Sequence, residues 1–252
     1  MSMRLDKALV ERSLVRSRTL AAKLIDAGAV RLNGSVVVKP SQQVEPADQL
    51  TVADSELTEY VSRAGHKLAG ALTAFPQIKV EGKRCLDAGA STGGFTQVLL
   101  QRGAQRVAAV DVGHDQLAPE IRSDQRVDVF EGMNVRYLKP EDIGGAVELT
   151  VSDLSFISLT LVMSALADAT ASGGDLVLMV KPQFEVGKHQ IGGGGVVTDP
   201  RARQEAVVKV RESAEFHGLY VKGIEPSSLP GQDGNLEFFL WCTKATRATE
   251  NR

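Results

Sequence analysis

The chain has 252 residues, 43% of them apolar and 24% charged, and a formal net charge of -2; it can bury one large core and one small one but carries no bulk positive charge with which to coat nucleic acid. Its longest apolar runs, such as DLVLMV, fall far short of the roughly 20 residues that cross a bilayer, and MSMRLDKALVERSL carries charge where a signal peptide would carry an apolar core, so a cytoplasmic protein is expected. Cys85 and Cys242 lie in separate apolar runs with no CxxC spacing, and the four histidines show no ligand spacing, so buried free thiols are expected and no metal.

Charge is uneven along the chain. Residues 1–44 hold eight basic groups against three acidic ones, a net of +5. RLDKALVERSL places Leu5, Ala8, Leu9 and Arg12 at helical spacing, and SRTLAAKLIDAG places Leu20, Leu24 and Ile25 on one face before Gly28 stops it. Ser17 is set to cap the second helix, and Arg16 and Arg18 beside that N-terminus offer guanidinium forks to a phosphate. AVRLNGSVVVKP then alternates in strand fashion around Asn33-Gly34, a tight-hairpin signal.

This order of elements resembles the S4 RNA-binding domain, or alpha-L motif, over about residues 3–60. The resemblance implies a basic helix face that holds structured RNA, with Arg4, Lys7, Arg16, Arg18 and Lys23 as the candidate contacts. Such contacts act on phosphates and shape, because the deep major groove of A-form RNA admits side chains poorly. The small α+β domain is taken as residues 1–58, with a linker at about 54–60 where the chain turns acidic and loses apolar residues.

From residue 62 the pattern alternates helix and strand, with strands expected near 83–87, 106–111, 127–131, 148–153, 175–181, 219–225 and 235–242. Seven strands with intervening helices predict a doubly wound, Rossmann-like α/β domain over residues 61–246, followed by a disordered tail at 247–252. Four apolar runs end on charge, at Asp87, Asp111, Asp153 and Lys181, and NLEFFLW carries Glu237 inside an apolar strand. Neighbouring parallel strands would bring these groups to one edge, where open α/β sheets bind their ligands.

The turn after Asp87, built from Gly89, Ala90, Ser91, Thr92, Gly93, Gly94 and Phe95, lacks the full GxGxxG spacing of a dinucleotide site. Its small residues suit S-adenosylmethionine, which has no phosphate and needs only close backbone approach. Asp111, about 22 residues beyond Gly89, ends the next strand where a carboxylate accepts ribose hydroxyls, and Met133 with Asn134 follows the third strand on the adenine side.

GHKLAGAL with Lys67, VSDLSF with Asp153, LMVKPQFE with Lys181 and GNLEFFLW with Glu237 look like the Lys-Asp-Lys-Glu tetrad of RNA ribose 2′-O-methyltransferases of the FtsJ type. With an S4-like segment in front, and with DAGASTGGFT, DVGHDQL, SDLSFISL and GGVVTDP in order, residues 3–243 resemble the TlyA family of bacterial rRNA 2′-O-methyltransferases, also known as hemolysins. ELTEYVSRAG replaces the Arg-x-Trp-Val stretch of some actinobacterial members, so an interdomain switch described for those is not carried over.

The resemblance implies S-adenosylmethionine as cofactor, rRNA within ribosomal subunits as partner, cytidine ribose as target and a monomeric enzyme. Lys181 is assigned as general base, a task a lysine performs at neutral pH only when desolvation or a neighbouring cation disfavours its ammonium form. Lys67 is assigned as that neighbour, Asp153 as the group that orients the amine, and Glu237 as the anchor of Lys67 or of the 2′-hydroxyl. Three competing readings are a pseudouridine synthase, a non-catalytic ribosome-binding protein and a membrane-active hemolysin, for which the chain offers no amphipathic or spanning segment. Two features stay open. Gly192 to Gly195 form either a mobile substrate-facing loop or a plain connection, and Phe156 stacks on a base, covers the cofactor or packs in the core.

Overall fold

A computed structural model describes residues 2–53 and 59–246 of the chain, so the expected tail and most of the expected linker lie outside the described residues. The chain divides into two compact units, Met1–Tyr60 and Val61–Arg252.

In the first unit, strand β1 (Met3–Arg4) leads into helix α1 (Leu5–Glu11), and α2 (Arg18–Asp26) follows. The expected cap is in place: Ser17 Oγ accepts the Leu20 N–H at 3.2 Å. β2 (Val30–Leu32) and β3 (Ser35–Val36) form the expected hairpin, with Asn33 at φ 50° and Gly34 at φ 82° as its turn. β4 (Gln43–Val44) pairs with β1 and β5 (Leu50–Val52) with β2, both antiparallel. Leu5, Leu9, Leu24, Ile25 and Val30 are fully buried between helices and strands. Those are the positions that helical and strand periodicity place inward.

The second unit opens with α3 (Arg63–Ala74) and then builds a seven-stranded sheet. Its strands are β6 (Arg84–Ala88), β7 (Arg106–Val110), β8 (Val127–Phe130), β9 (Val147–Ser152), β10 (Thr170–Val180), β11 (Leu219–Pro226) and β12 (Phe238–Lys244). The spatial order is β11-β12-β10-β9-β6-β7-β8, with β12 antiparallel to both neighbours and β10, β9, β6, β7 and β8 pairing in parallel. β6 is flanked by β7 on one side and β9 on the other. The chain therefore reverses its winding direction at β6, and a crevice opens there at the carboxyl ends of the strands.

α4 (Gly94–Gln101) follows β6 and packs against α3; α5 (Pro119–Arg122) and α6 (Met163–Ala169) are short. A one-turn helix, α7 (Pro182–Glu185), follows β10, and α8 (Pro200–Phe216) is the longest, capped by Asp199. Two boundaries differ from expectation. β10 starts at Thr170 and not near 175, because a bulge between Thr170 and Asp175 carries an earlier pairing with Val147 of β9. Glu237 stands one residue before β12, not inside it.

Candidate active site at the carboxyl edge of the sheet

The antiparallel sense of β12 brings the site together. Phe238, its first residue, pairs with Val180, the last residue of β10, so Glu237 and Lys181 emerge side by side at one edge. Asp153 follows β9 at the same edge, where its N–H donates to the Ala88 carbonyl of β6 at 3.1 Å. Lys67 reaches this edge from α3.

The four charges form two buried ion pairs. Lys67 Nζ lies 2.5 Å from Glu237 Oε2, with side chains 10% and 3% exposed, and Lys181 Nζ lies 2.7 Å from Asp153 Oδ1, with side chains 10% and 16% exposed. The second pair is not aligned as a hydrogen bond. Lys181 instead donates to Ser155 Oγ at 2.9 Å, and its amine sits 5.9 Å from the Phe184 ring. Lys67, expected as a cation beside Lys181, is paired with Glu237, as expected for an anchor, and the charge in contact with Lys181 is the Asp153 carboxylate. Gln183 Nε2 approaches the other Glu237 oxygen at 3.5 Å, while its own Oε1 is buried and unpartnered.

Beside these pairs lies a cavity of about 500 Å³ at the β6 crevice. Gly89, Ser91 and Asp111 line one side, Met133 and Asn134 another, and Asp153, Ser155 and Phe156 the lip. Of the turn residues expected to bind cofactor, only Gly89 and Ser91 line it. Ala90 and Phe95 are buried, Phe95 against Phe239 with ring centroids 6.1 Å apart, and Gly93 packs under Leu117 and Ile121 at the start of α4. Thr92 gives its carbonyl to Ala118, and Gly94 fits closely beside Ser62 and Gly65 of α3. These five shape the turn and do not face the cavity, because the chain enters α4 within three residues of Ser91.

Gly89 is a different matter. Its φ is 91°, and an added Cβ would lie 2.8 Å from the Asp153 carbonyl oxygen, so only glycine lets the turn and the β9 edge approach this closely. Asp111 holds the turn: its Oδ2 accepts the Ser91 N–H at 2.8 Å and its Oδ1 the Gly113 N–H at 2.7 Å. A carboxylate has about four acceptor positions, so two remain for a diol.

Asp87 is fully buried and stays out of the cavity lining. Its Oδ2 accepts the Thr96 hydroxyl at 2.7 Å while Oδ1 has no partner, and burial pushes the carboxyl up to about 7. Asn134 Oδ1 accepts the Arg136 N–H at 3.0 Å and so fixes the turn after β8.

The two open features resolve differently. Phe156 is 92% exposed with φ 63°, so core packing is not its role; its ring lies 5.4 Å from that of Phe184. The Gly193–Gly195 stretch forms a 3-10 turn whose carbonyl at Gly195 accepts Asn235 Nδ2 at 3.0 Å, while Asn235 Oδ1 accepts the Val197 N–H at 3.0 Å. Asn235, 2% exposed and two residues before Glu237, thus ties the glycine turn to the segment bearing that carboxylate. Sequence reasoning passed over Ser155, Thr96 and Asn235, whose roles come from the partners the fold brings to them.

In the first unit Arg4, Lys7, Arg16, Arg18 and Lys23 are all exposed. Arg4 and Arg18 both clasp the buried Asp6, at 3.0 and 2.7 Å, which holds the Asp6 carboxyl down to about 2. Lys7 pairs with Glu11 at 3.2 Å, and Arg16 donates to the Tyr60 carbonyl at 2.8 Å. Asp6 therefore sets the direction of two of the five cations.

The FtsJ-like methyltransferase family matches residues 60–244, and the S4 domain matches residues 3–50. The 16S/23S rRNA (cytidine-2′-O)-methyltransferase TlyA of Mycobacterium tuberculosis is 53% identical over 96% of this chain and 90% of its own length. YqxC of Bacillus subtilis, named as a candidate rRNA methyltransferase, is 42% identical over 94% of this chain and 84% of its own. Among solved structures, a candidate hemolysin from Streptococcus thermophilus superimposes with a TM-score of 0.76 at 39% identity, covering 97% of this chain and 89% of that one. A glycine-shaped cavity with Asp111 at its side, the Asp153 partner of Lys181 in its lining and these matches agree: the chain is an S-adenosylmethionine-dependent member of the FtsJ-like methyltransferase family, of the TlyA kind that carries an N-terminal S4 domain.

Proposed function

We propose that this enzyme methylates the ribose 2′-hydroxyl of cytidines in the rRNA of ribosomal subunits, acting as a cytoplasmic monomer that grips RNA through its S4 unit. The observation that carries this reading is the pairing of Lys181 with Asp153, which lines the cavity, and of Lys67 with Glu237, which stands beside Lys181 at the same sheet edge. A ribose hydroxyl needs one proton removed and its oxygen held in line, and an amine flanked by carboxylate and hydroxyl groups does both.

Asp111 takes the ribose hydroxyls of the cofactor, Gly89 and Ser91 receive its methionine part along the turn, and Met133 with Asn134 borders the adenine. Bound there, S-adenosylmethionine supplies an electrophilic methyl group on a positively charged sulfur. Lys181 accepts the 2′-hydroxyl proton as oxygen attacks. Lys181 is 9% exposed, and Asp153, which also lines the cavity, stands 2.7 Å from its amine and so fixes where that amine lies. Ser155 accepts one Lys181 hydrogen and so turns the amine. Lys67 and Glu237 hold each other at the far side, where either can meet the target ribose. Phe156, exposed and adjacent to Lys181 through Phe184, offers a face on which the target base stacks.

In the S4 unit, Arg4, Lys7, Arg16, Arg18 and Lys23 contact phosphates. A hemolysin acting as a membrane-spanning helix finds no counterpart: among the described residues no helix is long and apolar enough to cross a membrane. The test incubates purified protein, methyl-labelled S-adenosylmethionine and ribosomal subunits from cells lacking the gene, and identifies the labelled nucleoside. Label in 2′-O-methylcytidine is the expected result; label only on bases, or none, overturns the reading.

A further inference from the structure

The segment after Lys181 carries a buried carboxylate that the transfer chemistry leaves unused. Glu185 closes α7, four residues beyond Lys181, and is 5% exposed. Its Oε1 accepts the Leu159 N–H at 2.8 Å, its Oε2 accepts the Ser158 hydroxyl at 2.5 Å, and its carbonyl accepts Lys209 Nζ of α8 at 2.7 Å. Burial disfavours the ionised carboxyl, and the Ser158 and Leu159 donors offset part of that.

What it holds is the loop between β9 and the 3-10 turn at Leu159–Leu161. That loop presents Asp153 and Ser155 to the Lys181 amine and projects Phe156 in a left-handed conformation at φ 63°. Such a backbone is strained for a bulky residue and persists only where neighbours over-determine it. One end of the loop is fixed by β9 and by the Asp153 N–H to Ala88 bond. At the other end, the carboxylate of Glu185 takes two consecutive residues.

We propose that Glu185 is a positioning residue for methyl transfer: by clasping Ser158 and Leu159 it locks the Asp153–Ser158 loop to the strand end that bears Lys181, and so sets Asp153, Ser155 and Phe156 against the amine. The proposal rests on Lys181 as the base. Glu185→Gln preserves the clasp, since its amide oxygen accepts the Leu159 N–H and its amide nitrogen donates to Ser158 Oγ, whose own proton turns to Thr160 Oγ1 at 2.8 Å. Glu185→Ala leaves the Leu159 N–H buried and frees the loop.

The experiment measures single-turnover methyl transfer to ribosomal subunits against pH, with thermal midpoints and S-adenosylmethionine binding to count the competent molecules. Per competent molecule, Glu185→Ala should lose about 10- to 100-fold in rate, as misplacement near 1 Å does, with a displaced pH profile. Glu185→Gln should stay within about threefold of the parent, well inside that loss. Should Glu185→Ala fail to fold, Ser158→Ala, which removes one arm of the clasp, should give a partial loss with the same displacement. An unchanged pH profile and rate per competent molecule in Glu185→Ala, or in Ser158→Ala where that variant stands in, would overturn the proposal, as would an equal loss in Glu185→Gln. Lys181→Ala, run alongside, separates the two claims: its activity at parental rate sinks the base, whereas its inactivity beside a parental Glu185→Ala sinks only the positioning role.

Discussion

Replacing Lys67 by methionine keeps most of the side-chain volume in α3 and removes only the charge that Glu237 faces at 2.5 Å. With the two side chains 10% and 3% exposed, the carboxylate left behind has little water to turn to. Gln183, whose amide nitrogen stands 3.5 Å from the other oxygen, is a weak substitute. Removing one partner of a buried ion pair costs about 3–5 kcal/mol, because the surviving charge is uncompensated, whereas replacing both partners by apolar groups is often neutral. For a unit of this size each kcal/mol lowers the thermal midpoint by about 2–4 °C, so Lys67→Met should melt roughly 6–20 °C lower. The assay is urea denaturation at pH 7 of the parent, Lys67→Met, Glu237→Leu and the double variant. Each single variant should lose several kcal/mol while the double recovers most of the loss, and the double, though folded, should not methylate. Single losses below about 1 kcal/mol, the size of an exposed pair, or a double loss equal to the sum of the singles, would refute the reasoning.

Gly89→Ala places a methyl group 2.8 Å from the Asp153 carbonyl at φ 91°, so S-adenosylmethionine binding by calorimetry should weaken about 5- to 30-fold, from strain of about 1–2 kcal/mol; unchanged affinity would show that the turn has room to yield. Asp87, raised to about 7 by burial, binds its proton more tightly folded than unfolded, where a carboxyl titrates near 3.9. Its stabilising contribution is complete below about pH 4 and disappears as pH rises through 7. Urea midpoints at pH 5 and pH 8 should therefore fall more steeply for the parent than for Asp87→Asn, and parallel falls would contradict the burial argument.

The parts of the site written in local pattern were legible in the sequence. Apolar runs ending at Asp87, Asp111, Asp153 and Lys181 marked strand ends, Gly89 marked a close approach, and the hairpin at Asn33-Gly34 and the Ser17 cap followed from turn and cap chemistry. Direction was not legible. An apolar run reads the same for a parallel and an antiparallel strand, so NLEFFLW alone reads as a strand with Glu237 inside it, whereas the reversal of β12 sets that residue just before the strand's start and beside Lys181. Pairing of charges was hidden for a related reason. Lys67 and Glu237 are 170 residues apart, and nothing local in either segment says which of the four charges is in contact with which. Phe156 shows the limit of apolarity as a guide, since a side chain that should prefer the core is held 92% exposed by backbone conformation.

The central claim is that Lys181, at the end of β10, removes the proton from a ribose 2′-hydroxyl of rRNA. Its most direct test maps 2′-O-methyl groups on rRNA from cells lacking the gene and supplied with either the parent protein or Lys181→Ala at equal abundance. The parent should restore the methyl group at every site the deletion loses, and Lys181→Ala should restore none while still binding S-adenosylmethionine. Methylation restored in full by Lys181→Ala, or rRNA methylation unaltered by the deletion, would contradict the account.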